Sequence, residues 1–235
     1  MFKETRTPVT IVKVCLMVII FFSFAGTSQR AWGQNENPAL PPPSACVSCQ
    51  SNNWMKVPMS YPYVCPDNSI CTLWVDVLIP LGCGSCEIWI GDITEPTNCS
   101  CYGNMNWNDM VKGAVKIALT YYQQSWFQCS GNAVHVFTAG CLRRTDPITL
   151  PPFYPGGQPQ TIQMIIPCGE SCCENVYDFS TSPPTLVSST VHGNNLDNCQ
   201  PMWGPIKNNI CYTMGCDDVV PYIKQKKEKE TLTNK

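Results

Sequence analysis

Cysteine is the residue that most constrains this chain. Seventeen occur in 235 residues, close to the density of disulfide scaffolds. One of them, Cys15, stands inside an apolar run (residues 14–25) that follows a stretch holding Lys3, Arg6 and Lys13. That order reads as a secretory signal. A helix of that length rises about 18 Å, too short for a hydrocarbon core of about 30 Å, so cleavage is expected rather than anchoring. Ala31-Trp32-Gly33 puts the cut after residue 33, with Ser23-Phe24-Ala25 as the competing site. Loss of residues 1–33 leaves sixteen cysteines: Cys46, Cys49, Cys65, Cys71, Cys83, Cys86, Cys99, Cys101, Cys129, Cys141, Cys168, Cys172, Cys173, Cys199, Cys211 and Cys216. An even number bound for an oxidising compartment implies up to eight disulfides. Their connectivity stays open, because sixteen cysteines allow about two million pairings.

The remaining chain divides by composition. Residues 34–45 are polar and proline-rich and read as a linker. Residues 224–235 are charged, nearly free of apolar side chains, and read as a solvated tail. Between them, residues 46–223 form the stapled domain. Removing the signal leaves 11 basic and 16 acidic residues, and five of the basic ones lie in the tail. A phosphate backbone would find no basic stripe, so nucleic acid is excluded as a partner. No apolar run after the signal is long enough to span a bilayer.

Most segments of the domain read as short strands. Residues 72–79, 87–93, 133–139, 161–166 and 175–179 are rich in β-branched and aromatic side chains and bounded by Gly, Pro, Asn or Cys. One stretch differs. From Trp107 to Tyr122 the apolar residues recur at i, i+3 and i+4, the rhythm of an amphipathic helix. Asn106 or Asn108 can cap it, and Asp109 suits its N-terminal dipole. Gly113 weakens it by about 1 kcal/mol. The expectation is a mostly β, disulfide-rich α+β domain of antiparallel strands and hairpins with one helix near residues 107–123. An echo runs through it. Leu78-Ile79-Pro80 precedes Cys83-Gly84-Ser85-Cys86, and Ile165-Ile166-Pro167 precedes Cys168-Gly169-Glu170-Ser171-Cys172. Two related halves, each strand, cysteine-pinned turn and strand, are one reading of it; convergent hairpins are the other.

The cysteine pairs admit other chemistry, and each form of it meets an objection. Cys46-x-x-Cys49 and Cys83-x-x-Cys86 could supply four zinc thiolates, but their separation exceeds that of a zinc ribbon and export disfavours reduced thiols. Cys83-Gly84-Ser85-Cys86 has the form of a redox dithiol, yet a strand follows it instead of the activating helix. Haem attachment needs His after the pair, where Gln50 and Glu87 stand. Adjacent residues on a strand point to opposite faces, so Cys172 and Cys173 should reach different partners. A vicinal disulfide between them is the strained alternative. Cys99 and Cys101 should share a face.

Catalytic signatures are missing from the sequence: no H-E-x-x-H, G-x-S-x-G or phosphate-binding loop occurs. His135 falls in a strand pattern and His192 in a turn composition, and neither is assigned a role. Paired carboxylates could serve a glycosidase, with Asp76, Glu87, Asp92, Glu95, Glu170, Glu174 and Asp178 as the supply. Residues 194–198 and Asp217-Asp218 are the segments suited to a structural calcium ion; no other metal or cofactor is expected. Trp54, Tyr61, Tyr63, Phe153, Tyr154 and Trp203 lie in Pro-, Gly- and Asn-rich segments. They could form a face for a carbohydrate or protein partner, although core packing is the favoured reading. The sequence therefore points to a secreted, non-catalytic structural or binding protein. A carboxylate hydrolase and a self-assembling filament or envelope subunit are the alternatives.

Overall fold

A computed structural model describes residues 46, 47, 49, 54–81, 86–123, 131–152, 157–193, 199–202 and 206–221. Among these, ten strands form one mixed sheet, with a single α-helix beside it. Three strands open the fold as an antiparallel meander: β1 (Trp54–Val64), β2 (Ile70–Pro80) and β3 (Glu87–Pro96). The helix α1 (Trp107–Gln123) follows, then β4 (Ala133–Ala139), β5 (Cys141–Arg144) and β6 (Ile148–Leu150). The chain continues through β7 (Gln160–Pro167), β8 (Cys172–Asp178), β9 (Thr185–His192) and β10 (Cys211–Thr213), and a 3-10 turn spans Asp217–Val219.

The sheet forks at β3. One edge of β3 pairs with β2 between residues 89 and 94. The other is shared: residues 87–89 pair in parallel with β4, and residues 93–96 pair antiparallel with β7. One branch then runs β4-β8-β9. The other runs β7-β5-β10, with β6 also on β7. The β3–β4 ladder is the one parallel pair among the described strands, so the sheet is mixed, with antiparallel strands in every other pair and hairpins among them. The reason is the helix. A chain leaving the end of β3 through α1 is carried back to the end where β3 began, which a tight hairpin cannot do.

The five expected strands are present, with β1, β5, β6, β9 and β10 in addition. β1 is concealed in the sequence by Pro58 and Pro62. Proline donates nothing to a ladder and belongs on an edge, and β1 is an edge among the described strands, with β2 as its partner. The echoed segments differ in space. β2 and β3 are neighbours, whereas β3 and β4 lie between β7 and β8.

The core lies between the sheet and α1. Leu73, Val75 and Val77 of β2 meet Met110, Ala114, Val115 and Leu119 of the helix in one buried cluster. Asn106 begins the helix, its Oδ1 accepting from the backbone N of Asn108 at 2.9 Å and of Asp109 at 3.4 Å. Tyr61 locks helix to sheet, donating from its buried hydroxyl to the Met110 carbonyl at 2.8 Å. Burial holds that phenol well above its ordinary pKa. Gly113 explains itself here. A Cβ on it would stand 2.6 Å from Cε2 of Tyr61, so the glycine that weakens the helix locally is what lets the ring pass.

Gly113→Ala should therefore destabilise the protein despite alanine's better helix propensity. Chemical denaturation should show a lower midpoint than wild type, and a stabilised variant would contradict this packing.

Candidate functional site

Disulfides set the frame in which any site must sit. Six join described residues: Cys46–Cys172, Cys65–Cys101, Cys71–Cys99, Cys141–Cys199, Cys168–Cys211 and Cys173–Cys216. Cys99 and Cys101 strap the β1–β2 hairpin through two neighbouring bridges. Cys172 and Cys173 leave β8 for different partners, so no vicinal bond forms. Cys49 is also disulfide-bonded. Cys86 departs from the expectation of eight bridges: its thiol is unpaired and buried at the start of β3, against Tyr122 near the end of the helix. Cys83 and Cys129 lie outside the described residues. The zinc reading of the two Cys-x-x-Cys pairs fails on Cys46 and Cys49, both held in disulfides. Among the described residues, three potential metal-ligand atoms approach within 4.8 Å only at Cys65, Cys71 and Cys101. Their sulfurs are already committed to bridges.

Of the expected binding aromatics, Trp54, Tyr61 and Tyr63 fall among the described residues, and each is at least partly buried. Tyr61 is a correction, since it is buried under α1 and unavailable to a ligand. Tyr63 is half-buried, and its hydroxyl accepts from the backbone N of Asn106 at 2.9 Å, so it supports the helix start. Trp54 is half-buried at the first position of β1 and packs against the core. Phe153, Tyr154 and Trp203 lie outside the described residues, as does the calcium candidate 194–198. Asp217 and Asp218 form the turn that follows Cys216.

The carboxylates separate into distinct environments. Glu95 is fully buried and ion-paired: Arg144 Nη2 lies 3.2 Å from its Oε2, and Gly103 N donates to its Oε1 at 2.9 Å. Arg144 also donates to the Gly103 carbonyl and stacks 5.6 Å from the centroid of Trp107. This pair ties β5 to β3 across β7 and is structural. Glu87 is buried and accepts from Cys49 N at 3.3 Å. Asp178 is half-buried and accepts from Ser180, which lowers its carboxyl below the ordinary value.

Two groups remain with chemical potential. The first sits at a β-bulge, a device common beside functional sites. The β2–β3 register shifts between Val75 and Val77, setting Gly91 and Asp92 against the single residue Asp76. Asp76 is ion-paired with Lys56 at 2.6 Å. Asp92 has its pKa pushed up to about 6, first by burial and then by the Asp76 charge, with Lys56 opposing. Two carboxylates of unlike character thus share one place, the arrangement that acid–base chemistry uses.

The second group gathers both histidines of the chain. His135 Nδ1 lies 2.5 Å from Glu174 Oε1, and His192 Nε2 hydrogen-bonds Glu174 Oε2. The residues come from β4, β9 and β8, and β8 lies between the other two strands. Desolvation opposes the charge on Glu174, but the two imidazoles outweigh it and its carboxyl is held below the usual value. The sequence separated these residues and placed His192 in a turn. The one available signal was His135 alternating with valines in a strand pattern.

No protein-family model matches this chain, and neither does any curated protein or solved structure.

Asp92 generates a pH prediction. Its folded pKa lies above the unfolded value of 3.8, so the folded state holds a proton that the unfolded chain has released. Stability should fall as pH rises from about 4 through 6 and then level off. Asp92→Asn should raise the melting temperature at pH 7 and lose that advantage below pH 4. An equal effect at both pH values would refute the assignment.

Proposed function

We propose that this is a secreted, non-catalytic structural or binding protein of the extracellular space or cell envelope, which engages an added strand along the edge of β9. Disulfides on this scale suit an oxidising compartment. No helix among the described residues is long and apolar enough to cross a membrane.

The observation that carries the reading is the contrast between the two long edge strands. β1 bears Lys56, Pro58 and Pro62, the means by which natural sheets discourage further pairing. β9 has β8 as its one described partner and carries no proline and no Asp, Glu, Lys or Arg. Its bulge at Val187 leaves residues 188–192 in regular register, and Val191 is 60% exposed. An uncharged, β-branched, accessible edge suits strand addition. The incoming strand belongs to a second copy or to another extracellular protein.

Light scattering over a range of concentrations tests the self-assembling form. Mass should rise with concentration for the wild type and stay monomeric for Val191→Lys. A wild type that remains monomeric throughout would remove self-assembly from the proposal.

The bulge group favours a second reading, a carboxylate hydrolase in which Asp92 is the acid and Asp76 its ionic partner. Turnover of a glycosidic substrate should then fall above pH 6, and Asp92→Asn should reduce it by about a hundredfold or more. Activity indifferent to that substitution would eliminate this reading.

A further inference from the structure

We infer that Asn175 and Thr138 together bind a water molecule inside the core, forming an internal hydration site between β4 and β8. The inference does not depend on strand addition at β9.

Four strands carry one row of paired residues across the sheet: Ile88 of β3, Val136 of β4, Asn175 of β8 and Ser189 of β9. Residues directly opposite one another in a ladder project to the same face. Ile88 and Val136 belong to the buried cluster that includes the helix, so Asn175 enters the core where an apolar side chain would suit. It is fully buried, and neither its Oδ1 nor its Nδ2 has a hydrogen-bond partner among the described residues. Thr138 lies two residues beyond Val136 on β4, which places it on the same face and diagonal to Asn175. It is buried as well, and its Oγ1 is equally without a partner among the described residues.

Polar groups withdrawn from bulk solvent are nearly always hydrogen-bonded. Diagonal neighbours on an antiparallel pair stand about 7 Å apart, a span that one small molecule bonded to both side chains can bridge. The chemistry of the pair selects water. An amide offers donors and an acceptor, and a hydroxyl offers both, so the occupant must donate and accept. The neighbours of Asn175 on this face, Val136, Cys173, Tyr177 and Ser189, are uncharged and give an ion no counter-charge. Buried waters typically occupy such places, where otherwise unpaired polar groups converge. The Cys173–Cys216 bridge holds β8 beside the site. A break in the sheet lies close by. The β8–β9 register shifts at Val187, two residues from Ser189 along β9, and a bulge leaves its extra residue outside the ladder. Solvent can exchange with the site there.

The test combines an atomic-resolution crystal structure of the full mature protein with water-selective nuclear magnetic resonance in solution. One ordered water is expected within hydrogen-bonding distance of both Asn175 and Thr138. The side-chain amide of Asn175 should show the negative Overhauser effect to water that a long-lived bound molecule produces. Both readouts use the wild type, so no misfolded variant can confuse them. Thr138→Val keeps the side-chain shape while removing one partner, and its crystal structure should lose the water. An Asn175 amide bonded only to protein atoms would overturn the proposal, as would a site without solvent density. So would an Asn175 amide with no Overhauser effect to water, or a water that stays in place in Thr138→Val.

Discussion

Hydrogen bonding along one edge of β3 governs the architecture. A strand edge has one row of donors and acceptors, and here two partners divide it: residues 87–89 serve β4 and residues 93–96 serve β7. The division falls where Gly91 and Asp92 bulge against Asp76. A bulge bends and twists its strand, so the two halves of β3 can support branches that diverge. Gly91 is suited to this place, because a Cβ there would stand 2.9 Å from the Asp76 carbonyl oxygen. β4 and β5, separated only by Gly140, then carry the chain from one branch to the other.

Branching has a stability consequence that the covalent bridges answer. Each branch is narrow, and β10 is only three residues long. Cys168–Cys211 and Cys141–Cys199 reinforce the β5–β10 branch, while Cys46–Cys172 and Cys173–Cys216 anchor β8 in the other. The bridge from Cys46 spans 126 positions, a closure that the chain-entropy model values at about 5 kcal/mol when considered alone. The buried Glu95–Arg144 pair spans the second branch as well. Breaking it from one side would strand a charge without solvent, at about 3–5 kcal/mol.

The limits of sequence reading are physical. The helix was legible to within a residue because its signal is local: an apolar stripe, an Asn cap and an acidic first turn. The five anticipated strands were legible because each carries a dense β-branched or aromatic run. β1 escaped because Pro58 and Pro62 read as punctuation. β9, with the segment TLVSSTVH, escaped because an edge strand needs no strong apolar alternation. That second omission also concealed the contact of both histidines with Glu174, which exists only when β9 lies beside β8. Tyr61 escaped for the first reason, and so the ring that locks α1 to the sheet resembled a loop aromatic.

Residue content and local spacing alone established a mostly β, cysteine-rich domain with one amphipathic helix. They also established an acidic domain without a basic stripe. These properties follow from composition and from periodicities of two and 3.6 residues. Tertiary structure decided which cysteines pair, which carboxylates are buried and which strands form the edges of the described sheet. It also decided that two histidines 57 positions apart share one carboxylate. Such outcomes depend on strand order and register, where neighbours in space are distant in the chain and a shift of one residue turns every side chain to the other face.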